Sequence, residues 1–207
     1  MPTPKKYRIN EVFLTQQGEG YNAGMDAVFV RFTGCNLRCR IEPGPLSPGG
    51  FDCDTEFESG RSINAMELIE WIKTEAKGQT YCVVLTGGEP GLQIDQDLIT
   101  ELKAAGIWIA IETNGSIELP PGLDWITVSP KVAEHAIRQL TANEVKYVRG
   151  YGQAAPKTRI VASHYFLSPA FEGISVPQRT LNLVEQLCQE NPPWKISLQQ
   201  HKLAGLK

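Results

Sequence analysis

Residues 27–39, AVFVRFTGCNLRC, run from an apolar segment straight into two cysteines. Ala27–Phe32 is β-branched and aromatic apart from Ala27 and Arg31, and Thr33-Gly34 ends it. It reads as a strand that delivers Cys35 and Cys39 to its carboxyl end. Cys53 follows in CDT, after a stretch containing Pro43, Pro45, Pro48 and Gly49-Gly50, which is a loop by composition. Cys82 and Cys188 stand alone, so the five thiols do not make a disulfide framework. A structural zinc site closes with four protein ligands. Here three thiols share one loop, and no histidine lies between Ile9 and Tyr81. Three thiolates that leave one metal corner open suit a catalytic cluster.

Working outward, residues 7–15 form a first strand, and residues 63–77 read as an amphipathic helix. In that helix Ile63, Met66, Ile69 and Ile72 recur at helical spacing behind Ser62 as N-cap. Further strands are expected over Tyr81–Leu85, Ile107–Glu112, Trp125–Val128, Glu144–Val148, His164–Leu167 and Lys195–Leu198. Helices are expected over Asp95–Ala105, 131–140 and Val176–Gln189. Strand and helix alternate about six times, which argues an α/β fold with a parallel sheet. The polar motifs TGGEP, ETNG, SPK and SPAFE each follow a strand, where such sheets collect ligands. With 207 residues, 42% of them hydrophobic, the chain suits one soluble domain over 1–207 with an insertion at 40–52. A net charge of −3 gives no pull toward nucleic acid, and the apolar runs are too short to cross a bilayer. No apolar run follows the amino-terminal lysines, so a cytoplasmic location is expected.

GCNLRC continuing to CDTEF resembles the cluster loop of the radical S-adenosylmethionine (SAM) superfamily, whose usual form is Cys-x3-Cys-x2-Cys. The departures are an insert, Arg40–Asp52, where two residues are usual, and Asp52 where an aromatic residue is usual. Within that superfamily the chain is similar, over nearly its whole length, to the 7-carboxy-7-deazaguanine synthase family. NEVFLTQQGEG, AVFVRFTGCNLRC, LTGGEP, IETNGS, SPK, VKYV and SLQQHKLAGLK carry the likeness. The resemblance implies a partial, TIM-like barrel of parallel strands, the radical SAM core. It implies a lyase of queuosine and 7-deazapurine biosynthesis, converting 6-carboxy-5,6,7,8-tetrahydropterin to 7-carboxy-7-deazaguanine with loss of ammonia. SAM bound to a [4Fe–4S] cluster would be cleaved to methionine and a 5′-deoxyadenosyl radical.

The same resemblance assigns residues. Cys35, Cys39 and Cys53 would hold the cluster, and Thr55 would give Mg2+ a hydroxyl ligand. Gln16, Gln17, Gly18, Arg31, Thr86 and the terminal carboxylate of Lys207 would meet the pterin. Gln16, where the family more often has Leu, would act through its backbone, whereas the Arg31 fork suits a carboxylate. SAM would meet Asp52, Cys53, Asp54, Gly88, Ser129, Pro130, Lys131 and the segment Ser168-Pro169-Ala170-Phe171, where the family usually has QPMD. A homodimer and a flavodoxin-type reductant are also implied.

Other signals carry less. Gly150–Ala155 fits a dinucleotide fingerprint, but Pro156 stands where its helix must open. His135, His164 and His201 are solitary and read as surface or hydrogen-bonded structural residues, with His201, near the tail, the one that has a route to substrate. Two rival readings remain open here: an activase that generates a glycyl radical on a partner, and a non-enzymatic zinc or iron–sulfur module. A carboxyl-terminal extension beyond Lys207 is expected to impair turnover, and full activity in a tagged chain contradicts that role.

Overall fold

The structure, a computed structural model, describes residues 4–40, 52–53, 55–78 and 82–205. Asp54, Lys207, Tyr81 and most of the insertion at 40–52 therefore lie outside the described residues. Among those described, nine strands form one sheet in the order β3-β1-β2-β4-β5-β6-β7-β8-β9. β1 (Tyr7–Gln16) pairs antiparallel with β2 (Asp26–Phe32) and with β3 (Arg61–Ile63). From β2 onward every pairing is parallel, through β4 (Cys82–Gly87), β5 (Trp108–Thr113), β6 (Trp125–Val128), β7 (Thr141–Arg149), β8 (Val161–Pro169) and β9 (Lys195–Ile196). The sheet is parallel-dominated and open, as expected for an incomplete barrel, but it begins with an antiparallel hairpin.

One face of the sheet is covered by α1 (Ala65–Ala76), α2 (Gln96–Ala104) and α3 (Gln178–Glu190). Val28, Val30, Phe32, Val83, Leu85, Ile109 and Ile111 pack there against Leu68, Ile69, Ile72, Leu98, Ile99 and Leu102. Val128, Val145, Tyr147 and Leu167 pack with Val184 of α3. A fully buried Leu or Ile of this kind contributes about 1.5–3 kcal/mol relative to exposure. The opposite face carries none of these three helices.

Three local expectations change. Ser62 does not cap α1; it pairs with Arg8 in β3. Asn64 is the cap, because Glu67 stands three residues on and completes a capping box, whereas Ala65 stands three residues after Ser62. Met66 is correspondingly exposed and Ile63 belongs to a strand. Residues 131–140 contain only a single 3-10 turn, Glu134–Ala136. The amides of Arg138 and Gln139 donate to the Gly115 carbonyl at 2.8 and 3.1 Å instead of closing helical turns. Among the described residues only α1, α2 and α3 lie between successive strands, so helices alternate with strands less often than the expected six times. The tail instead adds a short helix, α4 (Gln200–Ala204).

Replacing the cap, Asn64→Ala, is expected to lower stability by about 1 kcal/mol, with Ser62→Ala within about 0.5 kcal/mol of the parent. Urea denaturation measures both, and the reverse ranking would contradict the capping assignment.

Candidate active site

Side chains alternate along a strand, so the face away from α1, α2 and α3 presents Phe29 and Arg31 of β2, Val84 and Thr86 of β4, and Ala110 and Glu112 of β5. Trp125 and Thr127 of β6 and Glu144 and Lys146 of β7 continue it. Register aligns Arg31 with Thr86, Glu112 with Thr127, and Thr127 with Glu144, so a polar row crosses the sheet. Buried polar groups demand partners, and the loop after β1 supplies them. Gln17 donates through Nε2 to Glu112 at 2.9 Å, the Tyr21 amide donates to Glu144 at 2.8 Å, and Glu19 forms a buried ion pair with Lys146. Thr86 lies 3.5 Å from the other Glu112 oxygen.

The segment after β9 closes over the same loop. The Gln200 amide donates to the Gly18 carbonyl at 2.9 Å, and the Gly20 amide to Ser197 Oγ at 2.9 Å. A Cβ at Gly18 would collide with the His201 ring, so glycine is required for this approach. Between loop, tail and sheet lies a cavity of about 260 Å³ lined by Phe13, Thr15, Gln16, Gln17, Gly18, Glu19, Phe29, Arg31, Thr55, Thr86, Glu112, Gln199, His201 and Lys202. Arg31 sits in it with its Nε 2.9 Å from Glu11. A guanidinium has five N–H donors, so this pair orients the fork while leaving donors for a second carboxylate.

The charges are unequal. Burial opposes ionisation of Glu19, but Lys146 outweighs it and holds the carboxyl below its ordinary range. Burial likewise works against the Lys146 ammonium, and Glu19 and Glu112 outweigh it, so the charge is held more firmly than in an ordinary lysine. At Glu144 burial prevails over the Tyr21 amide and Lys146, and the carboxyl is raised to about 7.

Above the cavity is the cysteine loop. The Cys53 amide donates to the Cys39 carbonyl at 3.2 Å, so the two arms of the insertion meet. The Cys53 thiol lies 3.6 Å from the Thr55 carbonyl, which links the third cysteine to a residue of the cavity wall. Burial pushes the Cys35 and Cys39 thiols up; the Leu37 amide opposes this at Cys35, and the Lys131 ammonium opposes it at Cys39. Cys82 is a buried thiol pushed up to about 12 by burial and Asp124, and burial also raises Cys188. Neither is poised as a ligand. No set of three or more His, Cys, Asp and Glu side chains among the described residues converges closely enough to hold an ion. The three thiols thus share a loop without meeting at a point. Their chemistry still matches iron–sulfur ligation, which uses cysteine thiolates.

Gly88 closes the contact between β4 and this loop. Its amide donates to the Phe32 carbonyl at 3.1 Å, and a Cβ there would strike the Gly34 carbonyl and crowd Cys35. Ser129 donates its amide to Thr113 at 2.8 Å, and Lys131 Nζ reaches Ser129 Oγ at 3.3 Å. Pro130 lies between them, at the carboxyl end of β6. Ser168 and Pro169 end β8 instead of following it, Ala170 donates to the Arg149 carbonyl at 2.9 Å, and Phe171 stacks under Lys202 of α4. Six expected residues (Gln16, Gln17, Gly18, Arg31, Thr55 and Thr86) share the cavity, while the described residues expected at SAM sit outside its wall, Asp52 and Cys53 in the cysteine loop and the others at or just after strand ends. Sequence reasoning passed over Glu19, Glu112, Glu144 and Lys146; a charge inside an apolar strand sequence marks the last three as unusual without giving them a partner.

An open, parallel-dominated sheet with a three-cysteine loop at its carboxyl edge is the layout of a radical SAM core. No protein-family model matches the chain. It is 39% identical to 7-carboxy-7-deazaguanine synthase of Bradyrhizobium diazoefficiens, over 97% of this chain and 99% of that one. It is 40% identical to the enzyme of that name from Burkholderia multivorans, with the same shares covered. The crystal structure of QueE from Escherichia coli matches with a TM-score of 0.68 and 26% identity, covering 95% of each chain. The chain belongs to the 7-carboxy-7-deazaguanine synthase family.

Gly88→Ala is expected to displace the cysteine loop, seen as reduced iron and sulfide content after anaerobic reconstitution. Full loading in that variant contradicts the close contact with Gly34 and Cys35.

Proposed function

We propose that this chain, as one domain, converts 6-carboxy-5,6,7,8-tetrahydropterin to 7-carboxy-7-deazaguanine, contracting the ring with loss of ammonia. The observation that carries the reading is the cavity of about 260 Å³ that joins Arg31, Gln17 and Glu112 to the cysteine loop through Thr55. Its volume suits a bicyclic ligand. Arg31, steadied by Glu11, would take the pterin carboxylate, and the amide of Gln17 with the carboxylate of Glu112 would take the polar ring edge. Gln16, Gly18 and Thr86 would complete the wall, and Lys207 would join them, as the family likeness suggests.

Cys35, Cys39 and Cys53 would hold a [4Fe–4S] cluster. SAM would lie against Asp52, Cys53, Asp54, Gly88, Ser129, Pro130, Lys131 and Ser168–Phe171. Cluster and SAM, when bound, supply the 5′-deoxyadenosyl radical. The residues of the chain bind the pterin, orient it beneath that source and exclude water with the loop and tail. Thr55 would offer Mg2+ one hydroxyl, the remaining ligands being water and substrate oxygens. The family likeness supports a homodimer, a flavodoxin-type reductant and cytoplasmic work in the queuosine and deazapurine route. No helix among the described residues is long and apolar enough to cross a membrane.

Anaerobically reconstituted enzyme with SAM, reductant, Mg2+ and carboxytetrahydropterin is expected to yield 7-carboxy-7-deazaguanine by mass spectrometry. An activase would make none at any Mg2+ level, and a zinc module would stay colourless and leave SAM intact. Arg31→Gln is expected to raise the pterin KM about tenfold or more, as loss of a charge-assisted bond does. An unchanged KM would remove Arg31 from the carboxylate site.

A further inference from the structure

We infer that Glu144 is a positioning residue for the pterin: from the sheet floor it fixes the loop that carries Gln17, Gly18 and Glu19 into the cavity. The inference rests on the function proposed above. Glu144 is 3% exposed and accepts the Tyr21 amide at 2.8 Å. Its carboxyl also occupies the space that a side chain at residue 20 would fill, and Gly20 holds a φ of 72°. Loop backbone and carboxyl are therefore shaped to one another, and only glycine satisfies both demands. The loop is pinned at three points along a short run: Gln17 to Glu112, Glu19 to Lys146, and Tyr21 to Glu144. A second, water-sized cavity of about 10 Å³ is lined by residues including Gln17, Glu19, Glu112, Thr127 and Glu144. Gln17, Glu19 and Glu112 line both cavities, so a shift at Glu144 passes directly to the pterin wall.

The charged groups facing Glu144 come from several elements. Glu19 approaches from the loop, Glu112 from β5 and Lys146 from β7, and His164 is its register neighbour on β8. Thr127 and Trp125 of β6 bring no charge, and His201 of α4 acts on Glu19. Three carboxylates share one ammonium, a count that favours keeping one proton in the cluster. Burial assigns it to Glu144, whose carboxyl is raised to about 7. The protonated carboxyl still accepts the Tyr21 amide. Ionised, it adds a charge beside Glu19 and Glu112 and opposes an anionic pterin. Because the native state binds this proton more tightly than the unfolded chain does, the contribution to stability is present at low pH. It is lost as pH rises from the ordinary carboxylate range through about 7.

The test compares reconstituted enzyme carrying Glu144→Gln, which keeps a neutral acceptor, with Glu144→Ala, which removes it. At pH 6.5 Glu144→Ala is expected to raise the pterin KM about tenfold with kcat near parent, and Glu144→Gln to stay within about twofold. Between pH 6.5 and 8.5 the parent KM rises, whereas that of Glu144→Gln stays flat. Amide exchange on the same preparations reads the loop without turnover: Tyr21 loses protection in Glu144→Ala and keeps it in Glu144→Gln. Unchanged Tyr21 protection in Glu144→Ala, or a parent-like pH step in Glu144→Gln, overturns the inference. If Glu144→Ala does not fold, the parent and Glu144→Gln pH profiles decide. A parent that makes no deazaguanine sinks the proposed function instead, and Tyr21 exchange and the difference in stability between parent and Glu144→Gln across pH 5–8 still judge Glu144.

Discussion

The buried ion pair between Glu19 and Lys146 joins the hairpin loop to β7, an inner strand of a sheet whose edges, β3 and β9, do not meet. A parallel sheet has two faces to cover, and α1, α2 and α3 cover one. The other is roofed by the loop after β1 and the segment after β9, and Glu19–Lys146 fastens that roof. Burying two charges is expensive unless they are paired, and removing one partner of such a pair typically destabilises by about 3–5 kcal/mol. The arrangement substitutes side-chain electrostatics for the strand pairing that closes a full barrel. It also leaves a hollow where a closed barrel would be packed.

Another buried carboxylate organises the carboxyl ends of the strands. Glu89 is fully buried and accepts from Thr113 Oγ1 at 2.8 Å, the Asn114 amide at 2.7 Å and the Gly91 amide at 2.9 Å. It thereby ties the turn after β4 to the turn after β5. The Glu89 amide donates to Gly34, and Asn114 Nδ2 donates to Asn36 at 3.0 Å, so both turns also hold the cysteine loop. Burial raises the Glu89 carboxyl even against these three donors, which marks how dry the strand ends are. Asn114, which resembles a glycosylation acceptor in sequence, is buried and used up in this lattice of bonds.

Much of this was legible from period and punctuation. β2 ends at Thr33-Gly34 as the dipeptide predicts, and Trp125–Val128 is a strand to the residue. The strand signal is strong because β-branched and aromatic residues alternate with few interruptions. The helix expected over 131–140 fails for a tertiary reason: Gly115, far away in sequence, takes the amides a helix would use, and Gln139 is spent on Leu119 and Thr141. Local propensity carries no record of such partners. The site divides the same way. Residues in glycine-rich and cysteine motifs were readable, because those motifs imply backbone approach and metal chemistry. Glu112, Glu144 and Lys146 were not, because a charged residue in a strand has meaning only once its face and cross-strand neighbours are known.

The two halves of the site are not independent. Thr55 belongs to the cavity wall and lies beside Cys53; Lys131 acts on both the Cys39 thiol and Glu19; Gly88 packs on Cys35 two residues from Thr86. The links are a backbone carbonyl, an electrostatic interaction and a glycine with no room to spare. A shift in the loop that lines the cavity would therefore be felt at the thiols, and strain at the thiols would be felt in the cavity. For chemistry that begins with a free radical, such coupling has a physical purpose. The radical source and its target must be held in register, since a misplaced target leaves the radical to react with the protein.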